Sequence, residues 1–74
     1  MNVTDLKPNQ KAIIKHIGDL GDLSHRLVEL GITCGEIIKL VRVAPLGNPL
    51  EVKVHDERIV MRKEDAKKIE VEEL

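Results

Sequence analysis

The chain has 74 residues, 12 Lys and Arg against 13 Asp and Glu, and no Phe, Tyr or Trp. That length supports one domain, residues 1–74, with a core limited to Ile, Leu, Val, Met and Ala. A net charge of -1 gives no electrostatic funnel for nucleic acid, and the absence of rings removes the stacking platforms that hold single strands, so no nucleic-acid partner is expected.

In chain order, Pro8-Asn9 is a turn, and "KAIIKHI" (Lys11 to Ile17) is an Ile-rich first strand, imperfectly alternating because Ile13 and Ile14 are adjacent, and ended by Gly18. The period then changes. Leu23, Leu27 and Leu30 recur at i, i+4 and i+7 and make one stripe of a short helix, with Asp19 or Asp22 as N-cap and Gly31 at C′. "IIKLVRVA" (Ile37 to Ala44) is a strand in which both alternating sets contain a charge, Lys39 and Arg42, as suits a strand that bends from one side of a barrel to the other. After the Pro45-Gly47-Asn48-Pro49 turn, "LEVKVH" alternates cleanly, with Leu50, Val52 and Val54 on one face. Asp56-Glu57 is a tight connection, "RIVMR" a strand with Ile59 and Met61 together, "KEDAKK" a single helical turn, and "IEVEEL" a last strand with Ile69 and Val71 inward.

The sum is a mainly β domain: about five short strands closing on themselves, one inserted short α-helix and a C-terminal helical turn. No β-α-β crossover is present to build a parallel sheet. The lone Cys34 cannot form an internal disulfide, which suits a reducing cytoplasm. No apolar run approaches the roughly 20 residues that span a bilayer, and "MNVTDLKPNQK" is polar from the start, so no membrane insertion is expected.

"HRLVELGITCG", "VRVAPLGNPLEVKV" and "IVMRKEDAKKIEV" together resemble the FeoA family, ferrous iron transport protein A and its relatives. The matching positions are Leu27, Leu30, Gly31 and Gly35, then Ala44, Pro45, Leu46, Gly47 and Pro49, then Arg62, Glu64, Ala66 and Ile69. Asn9 stands where the family often has Gly, and Asn tolerates the same left-handed turn; Cys34 stands where it often has Pro. The resemblance implies an SH3-like barrel in the bacterial cytoplasm. It also implies an accessory role in ferrous iron uptake, through contact with FeoB, a membrane transporter that bears a cytosolic GTPase domain.

Other chemistry is weighed on the residues themselves. His16, His25, His55 and Cys34 share no short ligand spacing, so no metal site and no cofactor is expected; the ligand spacing does not support Fe(II), although direct transition-metal binding for iron sensing or delivery is the alternative function. His25 lies about 200° from Leu23 at 100° per residue and faces water. Cys34 follows a helix C-terminus, whose dipole opposes a thiolate. No G-x-S-x-G, P-loop or H-E-x-x-H occurs, and Asp19, Asp22, Glu64 and Asp65 sit where helix N-termini favour negative charge, so no enzyme is expected. An SH3-like adaptor for Pro-rich peptides would need an aromatic groove, which this composition cannot supply. What remains is Leu46, an apolar residue at a hairpin tip. It either folds back to complete the core, or it anchors a partner with Pro45, Gly47 and Val28 as the rest of the patch.

Overall fold

Period-two alternation puts one face of each short strand in contact with the others, and the structure is organised by where that alternation holds and where it slips. The computed structural model describes residues 1–74. It runs β1 (Lys11–Ile17), α1 (Asp22–Glu29), β2 (Ile37–Val43), β3 (Leu50–Val54), β4 (Glu57–Met61), α2 (Lys63–Ala66) and β5 (Ile69–Glu73), with single 3-10 turns at Val3–Asp5 and Pro45–Gly47. The five strands form one antiparallel sheet in the order β4-β3-β2-β1-β5. This is the mainly β domain with one inserted helix that the sequence leads one to expect.

Inward residues stand opposite one another in rows. Leu40, Val52 and Ile59 align across β2, β3 and β4, and Leu50 and Met61 pair in the next row, which ends at the exposed Val43. Directly opposed pairs of this kind are the unit of sheet stabilisation. All 17 buried residues are aliphatic or Met, and no polar or charged residue is buried.

Two bulges set where β1 and β2 exchange the faces of their side chains. In β1, Lys15 is the extra residue between Ile14, opposite Val71, and His16, opposite Glu70. Strict alternation after Ile14 would send His16 inward; the bulge leaves His16 exposed and turns Ile17 partly toward the core. In β2, Val41 is the extra residue between Leu40, opposite Val52, and Arg42, opposite Glu51. The same slip carries Arg42 to the solvent side. Each bulge also increases local twist, which bends the sheet around its core.

In α1, Leu27 is buried, while Leu23 and Leu30 pack partly against the core, as the stripe predicts. The C-terminus is a Schellman motif: Gly31 N–H donates to Val28 O at 3.0 Å and Ile32 N–H to Leu27 O at 2.9 Å. Gly31 holds φ at 73°, and the buried Ile32 and Leu27 supply the apolar contact of that motif. The N-terminus differs from expectation. Neither Asp19 nor Asp22 is the cap; Gly21 is, at φ 61° and ψ -130°, a conformation closed to residues with a Cβ. The reason is local competition: Asp19 Oδ1 accepts the Gly21 N–H at 3.0 Å, which folds the chain before the helix begins. Asp22 instead lies within the first turn, on the favourable side of the helix dipole.

The β3–β4 turn is also displaced by one residue. Val54 pairs with Glu57, so the two turn residues are His55 and Asp56, not Asp56 and Glu57, and His55 takes the left-handed corner at φ 56°. Asn9 likewise adopts φ 72°, the conformation its turn requires. The free edge of β5 is partly covered by the N-terminal segment: Val71 N–H donates to Met1 O at 2.8 Å, and Asn2 bridges to Glu70.

Leu40 is fully buried and heads the Leu40–Val52–Ile59 row from β2. Leu40→Ala should therefore reduce unfolding free energy by about 2–5 kcal/mol in a denaturant titration, with the m-value unchanged.

Candidate functional site

The β2–β3 connection is a built loop. Ala44 N–H donates to Pro49 O at 2.9 Å across its base, and Gly47 N–H donates to Ala44 O at 3.0 Å to close an inner turn. Pro45 occupies the second position of that turn and Leu46 the third, at φ 72° and ψ 10°. These are the third-position angles of a type II turn, where glycine is preferred, because an L side chain in the left-handed region costs roughly 1–2 kcal/mol. Gly47 follows at φ 81°, and the Asn48–Pro49 peptide is cis.

The loop is also tied to the next helix. Asn48 Oδ1 accepts the Lys63 N–H at 3.1 Å, so a hairpin side chain caps the first turn of α2 from outside. The helix's own N-cap, Arg62, makes no side-chain cap bond. Glu64 and Asp65 lie in that first turn, as their charge favours.

The structure decides one of the two readings of Leu46. Its side chain is 103 % exposed, so it does not fold back on the core. Pro45 beside it is exposed and Gly47 is partly covered. Val28, on α1, is 77 % exposed, off the buried side of the helix. Next to the hairpin lies a groove of about 470 Å³, walled by Asn48 and Pro49, by Leu23 of α1, by Val60 and Met61 of β4, and by Arg62 and Asp65. Leu46 and Val28 both stand outside its lining. The groove was not foreseen, because its walls come from four separate segments, and only Val60, apolar and 62 % exposed, marks it.

The remaining candidate donors are spread out. His16, His25, His55 and Cys34 are all exposed on different elements. Among them only His55 meets a carboxylate, its Nε2 lying 2.5 Å from Glu36 Oε2. No three His, Cys, Asp or Glu side chains converge on one point.

Comparison with known proteins places this geometry. The family model of the FeoA domain matches residues 1–73. The chain belongs to the FeoA family. A Fe(2+) transport protein A/Fe(2+) transporter FeoB fusion protein of Porphyromonas gingivalis is 35 % identical over 72 residues. That match takes in 97 % of this chain and 8 % of the fusion protein. The solved iron(II) transport protein A of Clostridium thermocellum has a TM-score of 0.87 and 40 % identity, covering 100 % of this chain and 46 % of that one. The Stenotrophomonas maltophilia FeoA, crystallised with zinc and described as a prokaryotic SH3 domain protein, has a TM-score of 0.80 and 32 % identity, over 97 % of this chain and 89 % of that one. The expected SH3-like barrel and the kinship to ferrous iron transport proteins therefore both stand. No helix is long and apolar enough to cross a membrane.

The exposed Leu46 gains nothing from burial within this FeoA domain and carries an unfavourable φ. Leu46→Asn, whose side chain tolerates the left-handed region, should raise unfolding free energy by up to about 1 kcal/mol in a denaturant titration. Asn48→Ala removes the external cap of α2 and should lower it by about 0.5–2 kcal/mol.

Proposed function

We propose that this FeoA-family chain is a cytoplasmic accessory protein of ferrous iron uptake that acts by docking on a FeoB-type transporter, with Leu46 as its apolar anchor. One observation carries the reading: a leucine held fully in water, at a φ that a leucine disfavours, on a loop braced at its base and tied to α2. Glycine or asparagine would close the same turn at lower conformational cost. The leucine side chain is of use only where something else covers it, and burial in a partner's pocket would contribute about 1.5–3 kcal/mol.

The fusion of the two proteins in Porphyromonas gingivalis supports the choice of partner, since joining two chains makes their contact intramolecular and raises its effective concentration. Pro45 and Gly47 set the direction in which Leu46 projects, the groove beside Pro49 offers the partner a second apolar surface, and the exposed Val28 offers a further apolar contact on α1. The chain itself has no catalytic role and no resident metal in this reading; ferrous iron is the transporter's cargo. The scatter of its imidazoles and thiol supports that assignment.

A pull-down against the transporter's cytosolic domain tests the reading. The unmodified chain should be captured, and Leu46→Asp should bind roughly 10–100-fold more weakly, as loss of that burial predicts, with a nearly unchanged melting temperature. Undiminished capture of the variant would overturn the role of Leu46. An anaerobic Fe(II) titration followed by NMR should move no histidine resonance; saturable binding centred on His55 and Glu36 would replace the docking reading with a metal-binding one.

A further inference from the structure

The strand register places like charges directly opposite one another on the outer face of the sheet. Lys11 of β1 faces Lys39 of β2, Lys39 faces Lys53 of β3, and Lys53 faces Arg58 of β4. Four cations thus cross four strands in one line, and like charges in directly opposed positions are destabilising. Composition gives no hint of this, because the chain as a whole is close to neutral.

Only one end of the line is compensated. Arg58 Nη1 donates to Glu51 Oε2 at 3.1 Å. No carboxylate lies within 4.0 Å of the ammonium groups of Lys11, Lys39 or Lys53. These three lysines, with Gly35, Glu36, Ile37 and His55, line a cavity of about 430 Å³ on the outer face. Glu36, its one carboxylate, is already engaged with His55.

We propose that this face is a second docking surface, which takes an acidic polypeptide segment laid across β1, β2 and β3. Charge complementarity selects an anion, and further observations select a polypeptide. Adjacent strands lie about 4.8 Å apart, so the backbone positions of the three lysines span roughly 10 Å, a row across three strands and not one point. A phosphate site would use backbone N–H groups or an arginine fork. Here Gly35 N–H already donates to Ile14 O at 2.8 Å, and the row's arginine is closed by Glu51. Ile37, 49 % exposed beside the row, offers apolar surface that the side chains of a peptide cover and a free phosphate does not. A nucleotide base would find no aromatic ring to stack on. The inference does not depend on the hairpin contact, since Pro45, Leu46, Gly47 and Val28 all lie outside this cavity.

The test is an NMR titration of the full chain with a blocked octaglutamate peptide, with octaglutamine, sodium tripolyphosphate and phosphatidylserine vesicles as parallel probes. Octaglutamate should shift the amides of Lys11, Ile37, Lys39, Lys53 and His55 saturably, and octaglutamine should not. A Lys39→Gln/Lys53→Gln double variant should bind octaglutamate at least tenfold more weakly. A Lys63→Gln/Lys67→Gln variant, with the same net charge but altered on α2 and just past its end, should bind it as the unmodified chain does. Removing opposed like charges should leave the first variant at least as thermostable as the parent, so a loss of binding cannot be laid to unfolding. Equal weakening in both variants, no saturable shift, or preferential binding of tripolyphosphate or vesicles at these residues would overturn the proposal.

Discussion

A sheet of five short strands can keep 17 aliphatic side chains dry only by curving around them, and the curvature comes from two bulges. With no aromatic side chain to fill space, the core has to be closed by many small contacts. The inward row of every strand must then stay in phase with its neighbours. The extra residues Lys15 and Val41 break phase where a polar side chain, His16 or Arg42, would otherwise enter the core. Each slip thus serves chemistry and shape together. It returns a polar group to water, and it adds the twist that lets β1 and β2 wrap the interior. Removing either bulge while keeping the sequence would bury an unpaired polar group, which costs several times what a surface contact supplies.

The hairpin inherits its rigidity from this arrangement. Beyond the β2 bulge, Val43 pairs with Leu50, so the ends of the Ala44–Pro49 loop are set by the sheet register. Asn48 then joins the loop to α2, which connects β4 to β5 and buries Ala66. A residue at φ 72° persists only when its surroundings over-determine it, and here the Ala44–Pro49 and Ala44–Gly47 hydrogen bonds and the Asn48 cap do so. Leu46 thus stands outward on a backbone that these bonds brace. A flexible tip would pay an ordering cost on association that this one has already met in folding.

Much of the fold was legible because a half-buried strand writes its face into every second residue. Leu50, Val52 and Val54 announce theirs without ambiguity, as do Ile59 and Met61. The charges on both faces of β2 were legible as irregularity, and the bulge at Val41 is its cause; the doubled Ile13-Ile14 is no slip, since Ile14 is inward and Ile13 lies half-buried on the other face. What sequence misjudged was decided by competition between neighbours. Asp19 is a good cap in isolation, but its carboxylate is taken by Gly21 N–H before the helix starts. The β3–β4 turn falls at His55-Asp56 because Val54 is held opposite Glu57, a register set by three strands together. For Leu46 the sequence offered two outcomes, since whether a tip residue finds room on the core depends on how far the loop stands from it.

The groove by Pro49 and the line of lysines belong to another class of feature, one that no local pattern encodes. Positions 11, 39, 53 and 58 become neighbours only through register, so a composition with net charge -1 hides a row of four cations. The two surfaces also do different physical work. An apolar side chain in a pocket supplies affinity but constrains rotation about its own axis weakly. A line of charges acts at longer range, raises the rate of encounter and discriminates between orientations, while adding less to net affinity. One sits on a connecting loop and the other on the outer faces of strands, so a partner that met both would be held at two separated points. The penalty of opposed lysines and the penalty of a left-handed leucine are then of one kind: each lowers the stability of the free chain at a position where an external group could relieve it.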